Sequence, residues 1–471
     1  MTPALRGLAV AAALLAAALA PFACAGGSSS SSKPKQREIL LETEAHDEKV
    51  GRDAAVQVRA EMGIIDTPDL ASYVDQIGRR LLRHAPRRGF DYEFLIVDQD
   101  APNAFALPGG HIFISRGLLT VANTEDELAN VIGHEIIHVL ARHSAARQAA
   151  ARALPGPFQF YSMRTLAAYS RDQERESDRL GQGLSALSGY DPEGMATFMR
   201  DLDYLERLQF GYSRLPGFFD THPVSSERVT TAAARSRTIQ WSRVEPIAGD
   251  RSAYLRRVEG LTVGPSASQG VIQGSRFLHP DMGFSMRFPD GWDVINTPQA
   301  VGAISPRRDA QTFLQHQGLG RDPQLSAEEF LAQAGRQLKI SEVAPIKIGG
   351  LDAFRAVGRA SGVHVILTWI AFDSSIYRVT AASPTKSYDA AFMNTARSFR
   401  ALTPEQRASI QELRLRIAIA REGESLGQLS SRTGNRWNVQ QTAIMNDLFA
   451  TTPLSQGQLV KVALAEAYPP R

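Results

Sequence analysis

Apolar and polar positions alternate in different rhythms along this chain, and each rhythm predicts an element. From Leu128 to Leu140 the apolar residues are dense and helically spaced, predicting a helix. Residues 169–181, Tyr-Ser-Arg-Asp-Gln-Glu-Arg-Glu-Ser-Asp-Arg-Leu-Gly, are polar and rich in acids, predicting a second helix with a solvated face. Between them in character is Asn103–Gly110. There Phe105 and Leu107, with Ile112 beyond, alternate with smaller residues, and Pro108-Gly109-Gly110 marks a turn, so a strand is expected.

The pattern changes after residue 250. Residues 260–275 are rich in Gly, Ser, Pro and Gln, a linker composition. Alternation then returns at Phe284–Phe288, followed by the turn Pro289-Asp-Gly-Trp292. Further strands are expected at 312–316, 353–358, 364–372 and 376–381, with helices at 327–338 and 388–399, an α+β pattern. Near the C-terminus, 416–420 reads as a strand, 426–433 and 439–446 as helices, and 453–462 as a turn and closing strand. The fold class expected is α+β multidomain. A mainly helical domain with a small sheet occupies 40–250, a linker 251–274, an α+β module 275–402, and a βααβ module 413–465.

The N-terminus has the pattern of an export signal over 1–25. Arg6 precedes an apolar run, Leu8–Ala20, that is too short for a comfortable membrane span. Cys24, the single cysteine, has two readings: part of a small-x-small cleavage site, or a lipidated first residue of the mature chain. The tract 26–39, with Gly26–Ser32 at its start, suits a flexible tether. One cysteine leaves no intrachain disulfide. A net charge of +3 over 471 residues, with both signs interspersed, gives no ground for a nucleic-acid partner.

Candidate chemistry concentrates in the Leu128–Leu140 helix. His134-Glu135-Ile136-Ile137-His138 places two imidazoles at i and i+4, about 40° apart in helical rotation, so both leave one face. Such a pair can hold one metal ion, with Glu135 within reach of a water beside it. A third ligand must come from elsewhere. A histidine ten residues after His134 would serve, but Ser144 stands there, Ala141 replaces the required Gly, and His143 is off register. The acid-rich helix offers Glu174 or Glu176, which point about 200° apart, so one alone can face the metal. Glu174 is favoured because Asp178 lies at i+4 on the same face, where it can accept the outer N–H of a ligand histidine.

Several passages together resemble one family. They are Val50-Gly51-Arg52, Met62-Gly63, Tyr73-Val74, Asn103-Ala-Phe-Ala-Leu-Pro-Gly-Gly110, Ser115-Arg116-Gly117-Leu118, the HEIIH motif, Glu174-Arg-Glu-Ser-Asp178, and Thr221-His222-Pro223 with Arg228. From about residue 40 to 245 the chain resembles the zinc metallopeptidases of the HtpX, BepA and CAAX-prenyl-protease kind, closest to their soluble periplasmic branch. The resemblance implies a zincin-type fold and one Zn2+ per chain held by His134, His138 and Glu174, with Glu135 as general base. It also implies a substrate-binding edge strand at Asn103, Ala104, Phe105 and Ala106, which fits strand addition by an extended peptide. By the same resemblance His222 is a fourth, self-inhibitory ligand. Arg228 either stabilises an anionic intermediate or holds the His222 loop. The interval from His138 to Glu174, with apolar Leu154–Tyr161 inside it, is shorter than in these relatives, which bears on lid size.

Two further resemblances concern the rest. Residues 275–402 resemble small PsbP-like α+β modules and carry no catalytic cluster. Residues 413–465 resemble a LysM module, with Glu422-Gly-Glu-Ser-Leu426 where that family has Gly-Asp-Thr-Leu, which implies peptidoglycan as a partner. The implied function is an exported periplasmic endopeptidase, outer-membrane-anchored if Cys24 is lipidated, acting on unfolded or misfolded envelope proteins. The rivals are an envelope chaperone or assembly factor with a resting zinc site, and a peptidoglycan-bound scaffold.

Overall fold

The computed structural model describes residues 43–86, 89–143, 169–208, 218, 222, 225–297 and 300–469. The expectations for the signal segment, Cys24, the tether 26–39, Leu154–Tyr161, Thr221 and Pro223 lie outside these. The chain divides into two compact units, one of 31–265 with 412–466, the other built on 266–411 with 467–471. Among the described residues no helix is long and apolar enough to cross a membrane.

The first unit begins with α1 (Glu44–Met62) and α2 (Pro68–Leu82). Proline at the first position starts α2, and Tyr73, Val74, Ile77 and Leu81 bury one stripe of it. Strands β1 (Glu93–Val97), β2 (Ala104–Leu107) and β3 (His111–Ser115) form a sheet in the order β1-β3-β2, with β1–β3 parallel and β2–β3 antiparallel. Then come α3 (Arg116–Val121), α4 (Glu125–Leu140), α5 (Arg171–Leu187), α6 (Gly194–Leu208) and α7 (Ser226–Ser236).

Helix α4 is the hub. Thr124 caps it, and the three acids of its first turn suit the positive end of the helix dipole. Glu125 also anchors it, accepting from Tyr73 Oη (3.0 Å) and the backbone N–H groups of Ile247 (2.7 Å) and Ala248 (2.6 Å). Apart from Asp126, every residue of α4 is buried. Each buried Leu, Ile or Val there contributes about 1.5–3 kcal/mol. Helix α5 crosses α4 through Gly133 and Gly181. A Cβ on Gly181 would lie 2.9 Å from both N and Cα of His134, so only glycine permits this approach.

The expected linker at 251–274 is not one at its start. Residues 251–258 form α8 (Arg251–Val258), with Tyr254, Leu255 and Val258 in the core and Tyr254 Oη donating to Leu119 O (3.1 Å). Strand β4 (Thr262–Val263) follows. Glycine and serine set the turns there, but apolar residues at i, i+1 and i+4 decide the packing.

The second unit contains β5 (Val271–Gln273), β6 (Arg276–His279), β7 (Phe284–Arg287), β8 (Asp293–Thr297), β9 (Ala300–Ile304), β10 (Gln311–Leu319) and α9 (Pro323–Ala334). It continues with β11 (Leu338–Ile348), β12 (Leu351–Ala360), β13 (Val363–Phe372), β14 (Ser375–Ser383), α10 (Asp389–Arg397), β15 (Arg400–Ala401) and α11 (Pro404–Ala408). Seven strands form an antiparallel sheet, β11-β12-β13-β14-β10-β9-β8, and four a smaller one, β15-β7-β6-β5. Helix α9 starts and ends earlier than the 327–338 expected, because Asp322 caps it, Pro323 opens it and Gly335, at φ 51°, closes it.

The last elements are β16 (Gln411–Ile419), α12 (Leu426–Thr433), α13 (Val439–Met445) and β17 (Leu459–Ala467), in the βααβ order expected. They do not stand apart. β16 pairs with β4, and Leu415, Trp437, Met445 and Ala463 join the core around α4. Lys461 is fully buried, and its Nζ donates to the carbonyls of Thr120 (2.9 Å), Val121 (2.9 Å) and Ala122 (3.0 Å) at the end of α3. Burial pushes its ammonium down to about 7, against the pull of Glu127. Nearby Asp201 is pushed up to about 8 by burial and by Glu127 and Asp447.

Candidate metal centre

His134 and His138 leave the same face of α4, fully buried, and Glu174 meets them from α5. His222, also fully buried, arrives from the segment before α7. The four side chains converge. His138 Nε2 is 2.9 Å and His222 Nδ1 3.2 Å from His134 Nε2. Glu174 Oε1 is 3.0 Å from His222 Nδ1 and 3.4 Å from His138 Nε2, while its Oε2 is 3.7 Å from His134 Nε2. Four ligand atoms about 2.0–2.2 Å from a tetrahedral zinc stand about 3.3–3.6 Å from one another. The observed separations scatter around that edge length, and imidazole nitrogens with one carboxylate are a zinc donor set, so these residues fit the ion.

Electrostatics agree with that fit. Burial drives His138 well below its ordinary pKa, keeping it neutral. Burial opposes charge on Glu174, yet His222 and His138 beside it hold its carboxyl well below the ordinary range. His134 is also disfavoured as a cation by burial, but its bond to Asp178 and the nearby Glu174 raise its pKa.

Asp178 Oδ1 lies 3.1 Å from His134 Nδ1, which fixes the proton on that nitrogen and leaves Nε2 free as a ligand. Arg228, on α7, grips the acids. Its Nε and Nη2 donate to Asp178 Oδ2 and Oδ1, each at 2.7 Å, and its Nη1 lies 2.6 Å from Glu174 Oε2. These contacts orient two carboxylates, a role not among those expected for Arg228. Glu176 faces away and pairs with His143, at 3.3 Å from its Nε2.

Glu135 is fully buried, and its Oε1 is 3.3 Å from His222 Nε2. β2 has one sheet neighbour, so its other side carries no strand partner among the described residues. Its side chains are not exposed as an open edge would suggest. Ala104, Phe105 and Ala106 are buried, and Phe105 stacks on Phe113 at 5.1 Å, because α1 and α4 cover both faces. Asn103 precedes the strand, its Oδ1 buried and without a partner among the described residues. The N–H of Phe218 donates to Pro102 O (2.8 Å), which ties the His222 segment to the start of β2.

Three participants gave no signal in the pattern. Tyr169 stacks on His138 (3.7 Å, 21°), Phe218 stacks on His222 (4.5 Å, 18°), and His143 Nδ1 lies 3.2 Å from His138 Nδ1. Off-register spacing hid His143. The aromatic residues are ordinary in sequence and become informative only when the ligands are placed.

Residues 68–236 match the description "Peptidase family M48". The chain is 29% identical over 231 residues to the beta-barrel assembly-enhancing protease of Escherichia coli (strain K12), covering 44% of this chain and 46% of that one. It is 29% identical over 217 residues to the mitochondrial metalloendopeptidase OMA1 of Schizosaccharomyces pombe, covering 42% of this chain and 63% of that one. It thus spans less than two thirds of either relative. Among solved structures, cyanobacterial PsbP from Synechocystis sp. PCC 6803 matches 29% of this chain and 98% of its own, at 16% identity and a TM-score of 0.24, too low to establish a shared fold.

Proposed function

Since residues 68–236 are a peptidase family M48 domain, we propose that this chain is an exported zinc endopeptidase that cleaves unfolded or misfolded envelope proteins. The observation that carries the reading is the convergence of His134, His138 and Glu174 donor atoms on one point, with Glu135 beside it on the same helix. His134, His138 and Glu174 would hold a zinc ion, which would supply Lewis acidity toward a water and a peptide carbonyl. Glu135 takes the proton from water and later returns it to the leaving amine. Asp178 and Arg228 keep His134 and Glu174 oriented, and the unpaired side of β2 takes the extended substrate backbone. Similarity to the Escherichia coli beta-barrel assembly-enhancing protease supports an envelope setting, and the apolar run Leu8–Ala20 supports export.

A second reading is favoured by one contact. His222 Nδ1 sits at the fourth position while its Nε2 faces Glu135, an arrangement suited to a resting enzyme that binds clients more than it cuts. Lipidation at Cys24 and glycan binding by 413–465 would tether such an assembly factor to the envelope. The deciding variant is Glu135→Gln. Retained zinc with cleavage abolished supports the peptidase; retained zinc and undiminished cleavage removes Glu135 as the base; complementation of a deletion strain without cleavage moves the weight to the assembly role.

A further inference from the structure

The unit built on 266–411 holds a buried cation of its own. Arg378, on β14, is 1% exposed. Gln315 on β10 and Trp369 on β13 lie directly opposite it in register, so all three side chains leave one face of the seven-stranded sheet. Arg378 Nη2 donates to Gln315 Oε1 (2.8 Å), and the guanidinium lies 4.1 Å from the Phe330 ring centroid on α9. Its Nε and Nη1 have no partner among the described residues. Among the described residues no carboxylate pairs with it, and burial pulls its pKa down to about 10.

Other groups on the same face are in the same state. Thr380 Oγ1, Trp369 Nε1 and Gln311 Nε2 are buried and lack a partner. Each can donate a hydrogen bond, and a buried donor left unpaired forfeits its hydration without return. An uncompensated buried charge costs more still. Packing alone would favour a methionine or leucine at position 378. Trp369, directly opposite Arg378, and Thr380, two residues along β14, flank the cation with donors complementary to an acceptor bearing a single negative charge.

The surroundings indicate what carries that charge. Ile295, Gly302, Phe313 and Thr380 occupy one row across β8, β9, β10 and β14. Ile295 is 42% exposed, and Phe313, partly exposed, lies over Gly302. Helix α9 lies chiefly over β11–β13, and of its residues Pro323 and Ala327 alone are fully buried. An apolar strip therefore runs from the open part of the sheet to the donors beside α9. We propose that this face is a binding site for a monocarboxylate on an apolar body, the carboxylate accepting from Arg378, Trp369 and Thr380 and the body lying along Phe313 and Ile295.

The full chain should be titrated with decanoate and with a short apolar peptide ending in a free Phe carboxylate, followed by calorimetry and tryptophan fluorescence. Decanol, the amidated peptide and inorganic phosphate serve as controls. One or both carboxylates are expected to bind and to raise the Tm, the controls are not, and the stronger carboxylate tells a fatty acid from a peptide end. Arg378→Met should weaken binding at least tenfold, yet melt no lower than the parent when unliganded, since it loses an unpaired charge. Thr380→Val should weaken binding several-fold and leave the fold intact. Absence of carboxylate binding, binding unchanged in both variants, or an unliganded Arg378→Met protein that melts well below the parent or does not fold would each overturn the proposal.

Discussion

His222 Nε2 lies 3.3 Å from Glu135 Oε1, so the ring that faces Glu174 with one nitrogen faces the candidate base with the other. While His222 stays there, its ring occupies the space in front of the Glu135 carboxylate. His222→Ala is expected to keep zinc through His134, His138 and Glu174 and to raise cleavage of an unfolded protein substrate several-fold. Metal analysis and a fluorogenic protein assay check this; loss of zinc together with activity would make His222 an essential ligand instead.

The Asp178–Arg228 pair supports the ligands without being among them. Asp178→Ala should weaken zinc binding about 10–100-fold through misorientation of His134. Arg228→Met leaves Glu174 and Asp178 without their shared cation and should cost about 3–5 kcal/mol of stability. Competition with a chelator and chemical denaturation measure the two effects separately.

Two glycines of α5 should behave oppositely. Gly181→Ala brings a methyl group within 2.9 Å of the His134 backbone, so it should push the helices apart and reduce zinc affinity as well as stability. At Gly183 no heavy atom lies within 4 Å of an added Cβ, and alanine should stabilise the helix by up to about 1 kcal/mol. Thermal melts of the two variants compare them directly; similar losses in both would contradict the close-crossing argument.

Asp201, its pKa raised to about 8 in the fold, holds a proton that the unfolded chain gives up near pH 4. Its contribution is fully present below the unfolded value and is lost as pH rises toward 8. Asp201→Asn keeps a neutral group at every pH. The Tm advantage of this variant over the parent should therefore grow from about pH 4 to pH 8 and then level off. An advantage independent of pH would show that Asp201 is ionised in the native protein.

Much of the centre was legible because helical spacing is rigid. His134 and His138 at i, i+4, and Glu174 and Asp178 at i, i+4, each define a face, and the two faces meet. The helix read at 426–433 is α12 with the same bounds. What was not legible depends on meetings between distant segments. The grip of Arg228 on two acids, the stacking of Tyr169 and Phe218 on ligand rings, and the Gly133–Gly181 crossing have no periodic signature. Strand β11 was missed because its residues are mostly exposed and alternate weakly, and α8 because turn residues just beyond it dominated the composition.

Lys461 closes the end of α3 from a segment more than three hundred residues away, and Trp437 and Ala463 line the same core as the helix bearing the histidines. The order of synthesis therefore matters. As the chain is made, residues 43–265 emerge first, with the carbonyls of 120–122 and one margin of the core still uncovered. Only after residues 412–466 follow can that core close around the catalytic helix. The hydrolytic site thus matures late, after the intervening unit has been made, so the helix bearing the histidines stays incompletely packed until the residues after 411 are in place.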